Sequence, residues 1–204
     1  MYTIVQDGYV NINAKTKHTI MKQINEIQEE RIREYWIKTS EKKGIEKGFT
    51  VNDLRFYNEE VVWFNCQNKP NRELSNFYPC KLIYDGLTFN SSEQLYYYFA
   101  TSQTPEQRAM VMLQPNAAAV KKLKVIKDDD WFNKRLYYMR ICLQTKYQQC
   151  DAFRNRLLST GDKPIIEFTY WWDLYWGCVK KDGYYVGVNA LGRLLMELRE
   201  KIKY

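Results

Sequence analysis

The side chains best suited to chemistry lie between Thr160 and Arg199, near the C-terminal end of the chain. In this run an apolar, β-prone segment carries Glu167, and a loop with Asp173, Trp176 and Gly177 follows it. Carboxyl groups can act as general acids or bases, and loops held on rigid elements are where binding groups tend to lie. The order of residues predicts a strand, a polar aromatic loop and a helix.

The helix that follows is predicted to begin at about Asn189, after a loop that contains Gly187. Its apolar residues recur at the spacing of one buried stripe, and they are Leu191, Leu194, Leu195, Leu198 and Ile202. Asn189 and Arg193 lie one turn apart on the opposite side. That side either faces water, as in most amphipathic helices, or forms the wall of a pocket.

A further carboxyl group, Glu93, lies at a predicted helix start. The sequence Ser91 to Gln94 has the form of a capping box, which predicts a helix from Ser92 to about residue 101. Glu93 then occupies the first turn, where the helix dipole favours an ionised carboxylate. It is either only a favourable residue for starting a helix or a functional carboxylate.

The composition excludes several kinds of site. The single histidine, His18, lies far from the carboxyl groups in sequence, which argues against a Ser-His or Cys-His dyad and a two-histidine metal site. Five cysteines without a Cys-x-x-Cys spacing argue against a disulfide framework or a zinc ribbon. No apolar run is long enough to span a membrane, and no signal peptide is recognised, so we expect a soluble, cytoplasmic protein.

The charge is distributed unevenly along the 204 residues. Residues 1–60 carry ten basic and ten acidic side chains, whereas residues 61–204 carry 21 and 14 and so the whole net charge of +7. A positive field over one domain favours ligands that bear phosphate. The charge alone leaves open whether these ligands are nucleic acids or small molecules.

The N-terminal part is predicted to be an appended module over residues 1–60, with the main domain over 61–204. Residues 2–13 are typical of a hairpin around Asp7-Gly8, and a helix is predicted from about residue 19 to 43. In the main domain, strands are predicted over 60–65 and 81–89, the latter turning at Asp85-Gly86. Helices are predicted between Thr104 and Pro115 and over 116–124, 131–147 and 150–159. The helix over 131–147 is predicted to bury Phe132, Leu136, Met139 and Leu143, with Lys146 off that stripe.

Several short blocks occur together in one order. They are Leu-Ser-Asn-Phe at 74–77, Ser-Ser-Glu at 91–93, Thr-Gly-Asp at 160–162, Asp-x-x-Trp-Gly at 173–177 and Gly-x-Asn-x-Leu-Gly-Arg at 187–193. On these residues the chain resembles the NADAR (NAD- and ADP-ribose-associated, YbiA-like) family over roughly residues 61–203. We therefore expect a helix-rich α+β domain with a few short strands around a cleft.

The resemblance implies an N-glycosidase, which hydrolyses the bond between a ribose C1 and a nitrogen. Its implied ligand is of the ADP-ribose or phosphoribosyl type. The substrates of the family include ADP-ribose attached to guanine in nucleic acid and phosphoribosylated pyrimidine intermediates of riboflavin biosynthesis. No metal, redox cofactor or membrane is implied.

The resemblance also implies roles for single residues. Glu93 is expected to face the reacting sugar, where a fixed carboxylate stabilises the positive charge of the transition state, and Asp173 is expected to orient the ribose or a water. Glu167 is the weaker candidate and could instead pair with Lys146 or Arg193. The residues implied to contact the substrate are Asn76, Lys146, Glu167, Trp176, Gly177, Asn189 and Arg193.

Three positions depart from the pattern of the family. Gln94 stands where histidine is usual, Ala100 where lysine is common and Tyr97 where glutamine is expected. Loss of a cationic group would change phosphate affinity, protonation of the leaving group or the choice of substrate. An alternative function is therefore a non-catalytic module that binds ADP-ribose or single-stranded nucleic acid on its many tyrosines.

Overall fold

The computed structural model describes the helical positions 15, 18–19, 22–23, 26–27, 30–31 and 34, residues 3–4 and 10–11, and residues 53–202 except 59, 67–69, 102–103, 172 and 182. The chain forms two compact units, residues 1–47 and residues 48–204. The division lies earlier than the predicted boundary after residue 60. The family-like blocks all belong to the second unit.

The first unit contains a short antiparallel pair of strands, β1 (Thr3–Ile4) and β2 (Val10–Asn11). This pairing confirms the predicted hairpin, whose turn at Asp7-Gly8 lies outside the described residues. Every described position between 15 and 34 is helical and exposed. Positions 15 and 18 are thus helical before the predicted start at 19, and the predicted part beyond residue 34 lies outside the described residues.

The described residues of the second unit form three small sheets. Strand β3 (Arg55–Tyr57) pairs antiparallel with β9 (Tyr184–Gly187), which also pairs with β8 (Val179–Lys181). Strand β4 (Val62–Phe64) lies parallel to β7 (Ile165–Glu167), and β5 (Leu82–Tyr84) forms a hairpin with β6 (Leu87–Phe89). In that hairpin Asp85 and Gly86 both have positive φ, as a primed two-residue turn requires.

Six helices of the second unit have described bounds. They are α1 (Ser92–Ala100), α2 (Pro105–Met112), α3 (Ala117–Lys121), α4 (Trp131–Gln149), α5 (Asp151–Ser159) and α6 (Ala190–Ile202). Together with the short strands they confirm the predicted helix-rich α+β class. None of the helices in the described part of the chain combines the length and the apolar character needed to cross a bilayer.

Side-chain caps explain where three of the helices begin. Ser91 Oγ accepts a hydrogen bond from the Gln94 N–H at 3.2 Å, as the capping box predicts. Thr104 Oγ1 accepts a hydrogen bond from the Gln107 N–H and so caps α2, in which proline occupies the first helical position. Asn116 Oδ1 accepts a hydrogen bond from the Ala119 N–H at 2.9 Å and so caps α3.

The main core lies between α1, α4 and α6 and includes Leu95, Met139 and Leu195. Two predictions for α4 are wrong. Phe132 is exposed, whereas its neighbour Trp131 is buried, so the buried face is turned by one residue at the start of the helix. Lys146 was predicted to lie off the buried stripe, but it is fully buried.

Helix α6 approaches strand β7 unusually closely at Gly192. A Cβ atom at this position would lie 2.2 Å from the carbonyl oxygen of Ile165 and 2.5 Å from the side-chain amide of Asn189. Asn189 Nδ2 donates to the same Ile165 carbonyl at 2.8 Å, and its Oδ1 accepts from the Glu167 N–H at 3.2 Å. Glycine therefore allows the start of α6 to bond to the strand that carries Glu167.

We predict that Gly192→Ala lowers the free energy of unfolding by about 1–3 kcal/mol, because the added methyl group overpacks the contact with β7. Urea denaturation of the purified protein measures this loss. Arg193→Ala, which places alanine at the next, exposed position of α6, serves as the matched control. Equal stability of the two variants would contradict the role of this close approach.

Candidate active site

A cavity of about 340 Å³ in the second unit brings together residues from distant parts of the sequence. Five of the predicted site residues line it, namely Asn76, Glu93, Glu167, Asp173 and Trp176. Further lining side chains come from Cys66, Tyr96, Lys121, Lys122, Met139 and Trp171. The cavity therefore combines three carboxyl groups with aromatic walls and lysines.

The loop that carries Asn76 is attached to the first turn of α1. The Asn76 carbonyl accepts a hydrogen bond from the Glu93 N–H at 3.1 Å, and Asn76 Oδ1 accepts one from Ser92 Oγ at 3.0 Å. Asn76 Nδ2 points to the sulfur of Met139 at 3.3 Å. These bonds fix the position of Glu93, whose side chain is almost completely buried.

Glu167 reaches the cavity from the end of β7. Its N–H donates to Asn189 Oδ1, and its carbonyl accepts from the Cys178 N–H at 2.8 Å. Gly177 packs against the same carbonyl, since a Cβ there would lie 2.4 Å from the Glu167 oxygen. The backbone around Glu167 is thus held on both sides, and its side chain is only partly exposed.

Asp173 fixes the loop that carries Trp176 into the lining of the cavity. Its Oδ1 accepts the Trp176 N–H at 2.9 Å, and its carbonyl accepts Thr169 Oγ1 at 3.1 Å. The Trp176 ring then meets Tyr96 edge to face, with centroids 5.7 Å apart. Asp173 therefore combines a cavity-lining carboxyl group with a turn that positions an aromatic wall.

Burial and the neighbouring charged groups both act on the pKa of Glu93. Removal from water raises its pKa, Lys121 lowers it and Asp173 raises it again, so that the pKa lies above its ordinary value. Lys121 Nζ lies 3.7 Å from Glu93 Oε1. The ion pair with Lys121 therefore opposes the effect of burial and favours the charged form of Glu93.

Glu167 has the more strongly altered proton affinity. Burial raises its pKa from 4.5 to about 8, with further contributions from Asp173 and Glu93 that outweigh the opposing effect of Lys121. A carboxyl group of this kind holds its proton at neutral pH. The cavity thus presents one carboxyl group beside an ammonium group and another that is protonated.

Four of the predicted substrate contacts lie elsewhere. Lys146 is buried beneath the loop at 73–75, where its Nζ donates to the carbonyls of Glu73 at 2.9 Å and Ser75 at 2.6 Å. Asn189 and Gly177 support the backbone around Glu167 without lining the cavity. Arg193 is exposed and does not line the cavity, so the pocket-wall interpretation of that side of α6 is not supported.

The three residues that depart from the family pattern, Gln94, Tyr97 and Ala100, make different contacts in the structure. The Gln94 side chain accepts from the Asn90 N–H at 2.8 Å and donates to the Val111 carbonyl at 2.9 Å, so it joins α1 to the end of α2. Ala100 belongs to the core. Tyr97 lies below Lys121, whose Nζ is 5.9 Å from the ring centroid. A cation therefore lies beside Glu93, although it comes from α3 and not from α1.

Three side chains that line the cavity were not predicted from the sequence, namely Lys121, Lys122 and Trp171. Lys121 is the last residue of the alanine-rich α3 and Lys122 follows it, whereas Trp171 is 45% exposed in the loop before Asp173. Trp171 lies within residues 160–199, which carry several of the motifs, and this position could have indicated that it lines the cavity. Nothing in the spacing between Glu93 and Lys121 reveals their contact, because it depends on how α1 packs against α3.

Comparison with known proteins places most of the second unit in one family. The model of the NADAR domain matches residues 56–203. A riboflavin biosynthesis protein of Vibrio vulnificus (strain YJ016) is 29% identical over 148 residues, which are 71% of this chain and 39% of that protein. The chain thus spans well under half the length of this relative.

The N-glycosidase YbiA of Escherichia coli (strain K12) is 29% identical over 150 residues, covering 71% of this chain and 89% of YbiA. A chloroplastic riboflavin biosynthesis protein of Arabidopsis thaliana is 28% identical over 101 residues, 50% of this chain and 16% of its own. The NMR structure of E. coli YbiA superposes with a TM-score of 0.58 at 24% identity and covers 71% of this chain and 86% of YbiA. That likeness establishes a shared fold.

We predict that Lys146→Met lowers the free energy of unfolding by about 1–3 kcal/mol, because two buried carbonyls lose a charged donor. Burial already lowers the pKa of Lys146 to about 8, which shows how little water reaches it. Chemical denaturation measures the loss, and Lys124→Met, an exposed lysine outside the cavity lining, is the control. A variant as stable as the control would contradict the anchoring of loop 73–75 by Lys146.

Proposed function

This chain belongs to the NADAR family, and we propose that it is an N-glycosidase that hydrolyses the bond between ribose C1 and a nitrogen. The observation that carries the proposal is the convergence of Glu93, Glu167 and Asp173 on one aromatic-lined cavity. Carboxyl groups whose surroundings separate their proton affinities are a common basis of acid–base catalysis.

In the proposed reaction, the carboxylate of Glu93 faces the sugar. Breaking the C1–N bond leaves positive charge on the ribose, and a carboxylate held in a poorly hydrated site stabilises that charge more in the transition state than in the bound substrate. Its ion pair with Lys121 at 3.7 Å favours the ionised form. Glu93 is therefore the residue assigned to the electrostatic step.

Glu167 is assigned to protonation of the leaving group. The electron pair of the C1–N bond passes to the nitrogen, which takes the proton of the neutral Glu167 carboxyl group. A water then adds to C1 and gives its proton to a carboxylate, for which Asp173 is the proposed acceptor. The products are a ribose with a C1 hydroxyl group and a base that carries an N–H, so atoms and charge balance.

The proposed substrate carries phosphate beside the ribose. Lys122 lines the cavity and is exposed, and it belongs to the part of the chain that carries the positive net charge. Trp171 lies partly exposed at the cavity, and Trp176 lines its wall, so both can stack on flat ligand groups. We propose ADP-ribose attached to guanine in nucleic acid as the substrate.

Phosphoribosylated pyrimidine intermediates of riboflavin biosynthesis are the second candidate. Two relatives are named as riboflavin biosynthesis proteins, which favours this substrate. Both candidates present a ribose N-glycoside next to phosphate and differ in the base and the distal groups. Mass spectrometry of products from ADP-ribosylated DNA, ADP-ribosylated RNA and small phosphoribosylamines, tested side by side, distinguishes them. Tight calorimetric binding of ADP-ribose with no turnover of any substrate would instead indicate a binding module.

We predict that Glu93→Gln lowers turnover about 10²- to 10³-fold, because the neutral amide cannot stabilise the developing positive charge. Glu106→Gln is a matched control, since Glu106 occupies the same helical position after the cap of α2 and is exposed away from the cavity. Initial rates of the two variants under identical conditions provide the measurement. Turnover by Glu93→Gln at the control rate would show that Glu93 only starts its helix.

We also predict that activity falls as the pH rises through about 8, where Glu167 loses the proton it donates. Glu167→Gln should have lower activity and lack this alkaline limb.

The pH dependence of stability provides a second measurement. Between pH 4.5 and about 8 the folded state keeps a proton that the unfolded chain has lost, so this group makes the free energy of unfolding fall as the pH rises. If Glu167→Gln showed the same pH dependence as wild type in both measurements, the assignment would be wrong.

A further inference from the structure

The contact between Lys121 and Glu93 joins two helices that are separate in sequence. Lys121 is the last residue of α3, whose backbone is anchored by the buried residues Ala117 and Val120. Its own side chain is 58% exposed, yet Nζ lies 3.7 Å from Glu93 Oε1. The anchored backbone and the half-exposed side chain place an ammonium group at the cavity, where only part of the lysine is removed from water.

The charged and titratable groups around Glu93 are mostly acidic. They are Glu167 from β7, Asp173 from the following loop, Tyr96 and Tyr97 from α1, Cys142 from α4, Cys66, and the lysines Lys121 and Lys122 at the end of α3. Three carboxyl groups in one poorly hydrated cavity repel one another when all are ionised. The position of the nearest cation therefore decides which carboxyl group carries the charge.

We propose that Lys121 is a positioning residue whose ammonium group, 3.7 Å from Glu93 Oε1, directs negative charge onto Glu93 among the three carboxyl groups of the cavity. The assignment rests on the proposed function for its catalytic meaning, whereas the charge distribution itself is a property of the free protein. Lys121 makes its ion pair with Glu93. It thereby distinguishes Glu93 from the other two carboxyl groups.

The proton affinities agree with this geometry. Lys121 is the largest of the effects that lower the pKa of Glu93 against burial. Its effect on the pKa of Glu167 is smaller than those of burial, Asp173 and Glu93. Burial lowers the pKa of Lys121 itself, but the nearby acidic groups, Glu93 first among them, raise it above its ordinary value. Lys121 therefore remains charged over the pH range in which the carboxyl groups titrate.

The direct test is NMR titration of protein with ¹³C-labelled glutamate carboxyl groups, with the Glu93 signal identified by its loss in Glu93→Gln. Removing the charge with Lys121→Met should raise the pKa of Glu93 by about one unit, the lower end of the range for an opposite charge at this distance. Lys121→Arg, which keeps the charge, should titrate close to wild type. Lys124→Met, an exposed lysine three positions along the chain that does not line the cavity, should leave the titration unchanged.

A parallel kinetic measurement connects the charge to catalysis. In Lys121→Met the acid limb of kcat/KM should move to higher pH by the same amount as the NMR titration, so that activity falls about tenfold at acidic pH and recovers as the pH rises. Lys121→Arg should restore the wild-type profile. A merely structural role would lower activity equally at all pH values.

The outcomes separate the two proposals. If the Glu93 titration moves but no ribose N-glycoside is cleaved, Lys121 sets the charge and the proposed function is wrong. If the Glu93 titration is the same in Lys121→Met and Lys124→Met, the inference about Lys121 is overturned whatever the activity. A raised KM with an unmoved acid limb would also overturn it, since it would make Lys121 a simple phosphate contact. Because the Lys121 side chain is 58% exposed, we expect Lys121→Gln to fold and to serve as a second variant for the same comparison.

Discussion

The removal of carboxyl groups from water is the constraint on which this site depends. An ionised carboxylate in an apolar setting is costly unless it is paired, and a neutral one is tolerated far more easily. The cavity contains both solutions, because Glu93 lies beside Lys121 and Glu167 retains its proton. The distribution of charge among similar side chains thus follows from their surroundings and not from their type.

This arrangement requires a backbone frame that holds each carboxyl group in place. Asn189 bonds to the backbone on both sides of Ile166 in β7, and Gly192 lets α6 approach that strand closely. Lys146 holds the loop before Asn76 from beneath. These are polar or special residues that never line the cavity, yet they determine where the reactive groups lie.

Much of the fold could be predicted from the sequence because the signals are local. The cap at Ser91, the Asp85-Gly86 turn and the apolar stripe of α6 each act within a few residues, and all three are found in the structure. The site was predictable only in part. The motifs contain Glu93, Asp173 and other cavity residues, but they contain frame residues such as Asn189 as well, and a pattern of residue types does not separate the two groups. Lys121 was not predicted because its contact with Glu93 depends on the packing of two helices, which produces no recognisable pattern in the sequence.

The proposed site has an enclosed part, lined by the carboxyl groups, and an exposed mouth. In the proposed reaction the ribose meets enclosed carboxyl groups, whereas the base and phosphates meet the exposed side chains Lys122 and Trp171. In this proposal, a change among the exposed residues would alter which distal groups are accepted and would leave the charge distribution around Glu93 intact. Discrimination between a modified nucleic acid and a small phosphoribosylamine is therefore assigned to the mouth of the cavity, and cleavage of the C1–N bond to the carboxyl groups inside it.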